Sequence, residues 1–168
     1  MKPFRRISIV FALCFATTAH AQMSFPTLTT NDLNGRSVTF PTQLPGSPTI
    51  VFIAYKQRQQ ASISAWIEKL GLQENSGPAW VEIPVIGRGA SLMRSIIDNG
   101  MRSGIPSSAV RGKTFTVYSS RNAFNRALGI SNTKQIYVAL VDPDGTVYTL
   151  ISGDVTDTKL QQLMAAYP

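Results

Sequence analysis

Apolar residues along this chain change their spacing in a regular order, which predicts strands alternating with helices. Residues 48–55 form a continuous run rich in β-branched and aromatic side chains, typical of a central strand covered on both faces. Ile63, Trp66 and Leu70 then recur at helical spacing, and Gly71 ends the run. The pattern predicts a strand followed directly by an amphipathic helix that buries Trp66.

The same alternation continues to the end of the chain. The turn at residues 142–145, Asp-Pro-Asp-Gly, is a strong hairpin signal. Pro84 has no N–H to donate, which favours an edge position or a strand start for its segment. The elements predicted after the first helix are a strand at 81–86, a helix from 92 that Gly100 ends, a strand at 114–118, a short helix that closes at Gly129, paired strands at 135–141 and 146–151, and a helix at 160–164.

The first 21 residues have the pattern of a signal peptide. Three basic residues precede a short apolar run at 7–16, and the small residues Ala19 and Ala21 occupy the positions that a signal peptidase recognises. We therefore expect cleavage between Ala21 and Gln22 and a periplasmic or secreted product. Residues 22–168 are predicted to form one domain.

Export would remove part of the basic character. The chain carries a net charge of +7, but three of its sixteen Lys and Arg lie in the predicted signal peptide, which leaves thirteen basic against nine acidic residues, or +4. An excess of this size permits peripheral contact with an anionic membrane surface or binding to an acidic protein. It does not indicate a nucleic-acid-binding protein, which normally concentrates basic residues on one face.

The predicted domain contains neither thiol nor imidazole. Cys14 is the one cysteine of the chain and His20 the one histidine, and both precede Gln22. Thiolate chemistry and histidine acid–base catalysis are therefore excluded for residues 22–168. The 142–145 turn resembles the start of a calcium loop, but Gly153 stands where that loop carries its bidentate Glu. We expect no metal and no cofactor.

Three short segments resemble peroxiredoxins and periplasmic thioredoxins: FPTL at 25–28, DLNGRSVTF at 32–40 and VDPDG at 141–145. The resemblance implies a thioredoxin-like, three-layer α/β/α sandwich with a mixed central sheet and an N-terminal β-hairpin. It also implies where the family's two catalytic cysteines would lie, which is at or next to Arg58 and Ala61. The family's cis-proline has no counterpart, because residues 132–136 contain no proline.

A second resemblance is to mitochondrial ATP synthase assembly factors of the ATPase complex subunit ten type. It rests on the order and spacing of residues 101–106, 111–118 and 136–142. This resemblance implies a chaperone-like or assembly role at a membrane and no catalytic residues. Together, the two resemblances favour a redox-inactive protein that binds a protein partner of unknown identity.

Two groups of candidate site residues follow from the pattern. The polar loop after the first central strand is the candidate partner-binding site, because thioredoxin-like proteins bind substrate chains there. Glycines and an arginine before the second helix form a candidate anion-binding site, since free backbone N–H groups point outward at a helix start. The partner-binding candidates are Tyr55, Lys56, Gln57, Arg58, Gln59 and Gln60; the anion-binding candidates are Gly87, Arg88, Gly89 and Ser91.

Two alternatives stay open. The first is an enzyme that needs no thiol, with Glu82, Asp98 or Asp154 as general acid or base and an arginine that binds an anion. The second concerns the five basic residues between 88 and 113, which form either a solvated face or a binding patch. Trp80 is compatible with the core or with an exposed contact.

Overall fold

The structure, a computed structural model, describes residues 23–168, so the predicted signal peptide and its cleavage site lie outside the described residues. Two sheets are present. The first is an antiparallel hairpin of β1 (Leu28–Asn31) and β2 (Ser37–Phe40). The second is a four-stranded mixed sheet in the order β4-β3-β5-β6, formed by β3 (Thr49–Ala54), β4 (Trp80–Pro84), β5 (Tyr137–Val141) and β6 (Val147–Ser152).

Within residues 23–168, five α-helices connect and cover the strands. They are α1 (Gln60–Lys69), α2 (Arg94–Gly104), α3 (Ser108–Arg111), α4 (Arg121–Ala127) and α5 (Asp157–Ala165). A 3-10 turn precedes each of the first two, at Gln57–Gln59 and Arg88–Met93. None of the helices in residues 23–168 has the length and apolar character needed to cross a membrane.

The central strand β3 is buried along its whole length. It pairs in parallel with β4 and antiparallel with β5, as its continuous apolar run predicts. On one face the sheet packs against the N-terminal hairpin and α4, and on the other against α1 and α5. The predicted three-layer α/β/α sandwich with a mixed sheet and an N-terminal hairpin is therefore confirmed.

Trp66 and Trp80 both belong to the core on the α1 side of the sheet. Trp66 is fully buried, as its helical spacing predicts, and its indole N–H donates to the Gly153 carbonyl at 3.1 Å. Trp80 is buried as well, with its N–H bonded to the Gln73 carbonyl. Of the two alternatives for Trp80, core residue or exposed contact, the structure shows the first.

The expected third strand at 114–118 is only partly formed. Glu82 forms a parallel bridge with Thr114 and Val85 one with Val117, but no continuous ladder joins them. The interruption lies at Pro84, which accepts from the Val117 N–H at 2.8 Å but has no N–H of its own to return. A proline in β4 therefore leaves the neighbouring segment as an irregular edge.

Two helix predictions also need correction. α2 does not end at Gly100 but continues to Gly104, because an exposed glycine lowers helix stability without forcing an end. The short helix α3 was not predicted; its Ser107 N-cap accepts from the Val110 N–H at 3.3 Å.

Candidate functional site

One buried side chain, Gln59, fixes the conformation of the loop between β3 and α1 through hydrogen bonds. Gln59 is 5 % exposed. Its carbonyl oxygen accepts from the backbone N–H groups of Tyr55 at 2.7 Å and Lys56 at 3.1 Å, and its amide nitrogen donates to the Thr133 carbonyl at 3.2 Å. Gln59 therefore fixes the shape of the loop and ties it to the segment that leads into β5.

Tyr55 anchors the same loop to the opposite face of the sheet. Its ring is buried, and its hydroxyl donates to Asn125 Oδ1 on α4 at 2.6 Å. The Arg121 guanidinium lies 6.0 Å from the ring centroid. Burial is the main cause that raises the pKa of the Tyr55 phenol, and the nearby Tyr137 raises it further. The positive charge of Arg121 offsets part of this shift. Tyr55 is thus a neutral core residue and not an exposed contact.

The other four candidates differ in how they face solvent. Lys56, Gln57 and Arg58 are exposed, and within residues 23–168 no ion pair engages Lys56 or Arg58. Gln60 is exposed too, but its amide nitrogen lies 3.3 Å from a carboxylate oxygen of Glu82. Of the six residues, Lys56, Gln57 and Arg58 are therefore free to contact a partner.

Arg58 borders a groove of about 460 Å³. Two further cations, Lys134 and Lys159, lie along it, and its carboxylate Asp154 accepts from the Ser62 hydroxyl at 2.5 Å. The Lys159 ammonium donates to the Asp154 backbone carbonyl at 2.9 Å. Three segments build the groove, and its lining residues are Arg58, Gln59, Ser62, Lys134, Gln135, Ile136, Gly153, Asp154, Thr156 and Lys159.

The groove has an electropositive lining. Its three cations outnumber its one carboxylate, and α5 begins at its edge, where Thr156 caps the helix by accepting from the Lys159 N–H. The positive end of the helix dipole therefore adds to the side-chain charge. The arrangement suits an extended, acidic segment of chain.

Comparisons with known proteins give structural relatives but no family by sequence. No protein-family description matches the chain, and no curated protein matches it. Among solved structures, BsSco, a member of the Sco family of cytochrome c oxidase assembly proteins, superposes with a TM-score of 0.59 at 17 % identity, covering 88 % of this chain and 95 % of its own.

Two further structures agree with this result. The exposed lipoprotein thioredoxin of Streptococcus pneumoniae gives a TM-score of 0.56 at 12 % identity, covering 83 % of this chain and 99 % of its own. A thiol:disulfide interchange protein of the thioredoxin family from Chlorobium tepidum gives 0.50 at 15 % identity, over 89 % and 99 %. The chain has a thioredoxin-like fold. These likenesses do not test the resemblance to ATP synthase assembly factors, which stays a prediction.

In this thioredoxin-like domain, the positions that the family resemblance assigns to the two cysteines lie at the start of α1. Arg58 belongs to the 3-10 turn and Ala61 to the first helical turn, and both are exposed. Neither side chain provides a nucleophile. The groove beside them carries Lys134 in the proline-free segment before β5.

The candidate anion-binding residues do not join the groove. Gly87 has φ 90°, a conformation that favours glycine, and its N–H is already bonded to the Val117 carbonyl at 3.2 Å. Arg88, Gly89 and Ser91 are exposed on the 3-10 turn that follows, and no side chain caps that turn. The turn itself accounts for the glycine at position 87, and anion binding by these four residues stays a prediction.

The three carboxylates of the alternative enzyme are separately engaged. Glu82 is buried beside Gln60, Asp98 accepts from the Tyr118 hydroxyl at 2.8 Å, and Asp154 accepts from Ser62. Burial raises the pKa of the Glu82 carboxyl, and the hydrogen bond from Gln60 partly offsets that shift. Because no two of these carboxylates share a site, they do not form an acid–base pair.

The described residues also contain no cluster of three potential metal ligands. The two carboxylates of the 142–145 turn bond to neighbouring residues instead. Asp142 accepts from Ser47 and Tyr148, and Asp144 accepts from the Thr146 N–H at 2.7 Å. The calcium-like start of this segment is therefore a hairpin turn.

Sequence reasoning missed Ser62, Lys134 and Lys159 as groove residues. Lys134 lies in the proline-free segment 132–136, where the sequence gives no sign of a basic site. Lys159 lies 101 positions after Arg58 and carries no motif of its own. Only the fold brings the segment before β5 and the start of α5 beside the start of α1, so that Lys134 and Lys159 line one groove with Arg58.

Proposed function

We propose that this chain is an exported thioredoxin-fold protein that binds an extended, acidic segment of a protein partner and performs no thiol chemistry. The observation that carries the proposal is the groove beside Arg58, where Lys134 and Lys159 lie against the same space. Arg58 stands in the position that the family resemblance assigns to a catalytic cysteine.

Charge is the main source of affinity in this proposal. Guanidinium and ammonium groups make charge-assisted hydrogen bonds to carboxylates, which are stronger than bonds between neutral groups. Asp154 opposes them, but it is one carboxylate against three cations. An extended chain also offers its own backbone groups to the polar lining, including Gln135 and Thr156.

The proposed biological role is chaperone-like or in assembly of a membrane complex. Support comes from BsSco, whose family is described as cytochrome c oxidase assembly proteins. The signal-peptide pattern of residues 1–21 supports export. A redox role is disfavoured because the described residues contain no cysteine.

Site-specific photo-crosslinking in the cell that produces the protein tests the proposal. A photo-reactive residue replaces Gln57, which is exposed beside the groove, or Asn122, an exposed position on α4 as a control. We expect a discrete crosslinked partner from position 57 and none from position 122. Equal crosslinking from both positions would contradict the proposal.

A matched pair of arginine variants adds the charge test. Arg58→Ala should reduce the crosslink from position 57 by up to about fivefold, since an exposed ion pair contributes up to ~1 kcal/mol. Arg126→Ala removes an equally exposed arginine outside the groove and should leave the yield unchanged. Full crosslinking in Arg58→Ala would place recognition elsewhere.

A further inference from the structure

Apart from the groove, the surface carries an apolar ridge on α2 and the 3-10 turn before it. Leu92 is 98 % exposed, Met93 53 % and Ile96 68 %. Besides these three residues, the described residues have only three other exposed large apolar side chains: Met23, Tyr148 and Met164. We call Leu92, Met93 and Ile96 the apolar ridge.

The ridge projects from a helix whose orientation is fixed. Ile97 and Met101, one helical turn apart, are half-buried on the inner side of α2. Arg102 Nε donates to the Leu33 carbonyl, and Asp98 accepts from the Tyr118 hydroxyl at 2.8 Å. The ridge is therefore the outward side of an attached helix and not a frayed end.

The surroundings of the ridge are cationic. The 3-10 turn and α2 together carry three arginines, Arg88, Arg94 and Arg102, and one acidic residue, Asp98, whose carboxylate accepts from the Tyr118 hydroxyl. Arg88 is exposed one turn before Leu92. The guanidinium of Arg94, between Met93 and Ile96, lies 4.6 Å from the centre of the Tyr118 ring. An apolar ridge flanked by arginines is complementary to an anionic lipid surface, where apolar side chains enter the interface and cations meet phosphates.

We propose that the apolar ridge docks this domain peripherally on a bilayer that contains anionic phospholipid. Leu92, Met93 and Ile96 enter the headgroup region, and the exposed Arg88 binds a lipid phosphate. A lipid surface fits this segment, because its one carboxylate, Asp98, is bonded to Tyr118 and Arg88 is exposed one turn before Leu92. The C-terminal ends of the parallel strands β3 and β4 lie at the same end of the sheet, so the ridge and the Arg58 groove follow strand ends on that side of the molecule.

The first described residues lie away from this surface. Ser24 forms a bridge with Thr146 in the turn before β6, whereas the ridge follows the end of β4. Thr49, at the start of β3, pairs with Val141 beside that turn, which places the turn at the opposite end of the sheet. The ridge and the first described residues therefore lie at opposite ends of the sheet.

Vesicle co-sedimentation tests the proposal with residues 23–168, a segment that contains both core clusters. We expect binding to vesicles of phosphatidylcholine with phosphatidylglycerol, weaker binding to phosphatidylcholine alone, and release by added salt. The triple variant Leu92→Ser/Met93→Ser/Ile96→Ser should bind at least about tenfold more weakly. It should keep the wild-type melting temperature, since all three side chains are exposed.

Matched single variants separate the apolar and charge contributions. Met93→Ser should weaken binding, whereas Met164→Ser, which removes a methionine of similar exposure (56 %) on α5, should not. Arg88→Gln should weaken binding about fivefold. Arg126→Gln, at an exposed position on α4, should have no effect.

Fluorescence reports insertion directly. In Leu92→Trp, the added indole should shift its emission to shorter wavelength with anionic vesicles, while Trp66 and Trp80 stay constant because they are buried. Equal binding by the wild type and the triple variant would overturn the proposal, as would equal binding to both lipid compositions. Self-association that depends on the ridge, without vesicle binding, would also overturn it in favour of a second copy as the occupant. None of these results depends on Arg58, so the groove is tested separately.

Discussion

The Gln59 side chain pairs three backbone groups around the loop after β3. It accepts from the Tyr55 and Lys56 N–H groups and donates to the Thr133 carbonyl. From the sequence, Gln59 is one polar residue among six in a loop, and the prediction grouped it with exposed contacts. Its burial depends on Thr133, 74 positions later, whose proximity no local pattern could reveal.

Replacing Gln59 should therefore destabilise the domain. Gln59→Ala leaves buried N–H groups without a partner, so the free energy of unfolding should fall by about 1–3 kcal/mol. Gln57→Ala, two positions earlier and exposed, should change it by less than about 0.5 kcal/mol. Urea unfolding of the two variants checks this, and equal stabilities would contradict the structural role of Gln59.

Glu82 is a second residue whose chemistry depends on burial. It lies in β4 beside Phe52, and its one hydrogen-bonding side-chain partner is Gln60. Desolvation raises the pKa of the Glu82 carboxyl above its ordinary value. The folded state then binds this proton more tightly than the unfolded state, so the contribution of Glu82 to stability is lost as pH rises through the folded pKa.

Glu82→Gln should relieve that loss. Relative to the wild type, the variant should be more stable at neutral pH, and its advantage should shrink as pH falls to about 4.3, the ordinary range of a glutamate carboxyl. Urea unfolding at a series of pH values measures the difference in free energy of unfolding. An advantage that does not vary with pH would show that ionisation of Glu82 is not its cause.

At the scale of elements, the apolar runs of β3 and β5 predicted the centre of the sheet, because strands covered on both faces leave no room for polar residues. The edge was harder to predict. Residues 114–118 alternate like a strand, yet Pro84 in the neighbouring β4 interrupts their pairing. Whether an edge segment forms a ladder depends on the partner strand as much as on its own pattern.

The attachment of α1 to the sheet rests on Trp66. Trp66→Ala should lower the free energy of unfolding by about 3–5 kcal/mol, because it leaves a cavity and removes the hydrogen bond to the Gly153 carbonyl. Met164→Ala on the exposed side of α5 should cost less than about 0.5 kcal/mol. Thermal or urea unfolding distinguishes them, and a small loss in Trp66→Ala would mean that α1 is held by other contacts.

At the scale of the whole molecule, the candidate site is assembled from segments that are far apart in sequence. The family resemblance located the loop with Arg58, but it did not indicate that Lys134 and Lys159 would lie beside it. The thioredoxin-like fold brings the start of α1, the segment before β5 and the start of α5 to one place. Local patterns therefore predicted the elements and part of the site, whereas the groove required their packing.

A disulfide reductase assay tests the central claim most directly, which is that this thioredoxin-like domain works without thiol chemistry. Residues 23–168 are incubated with insulin and dithiothreitol, and the appearance of reduced insulin chains is followed over time. Since residues 23–168 contain no cysteine to form the attacking thiolate, we expect the rate of dithiothreitol alone. A higher rate that remains with the protein through successive purification steps would contradict the account.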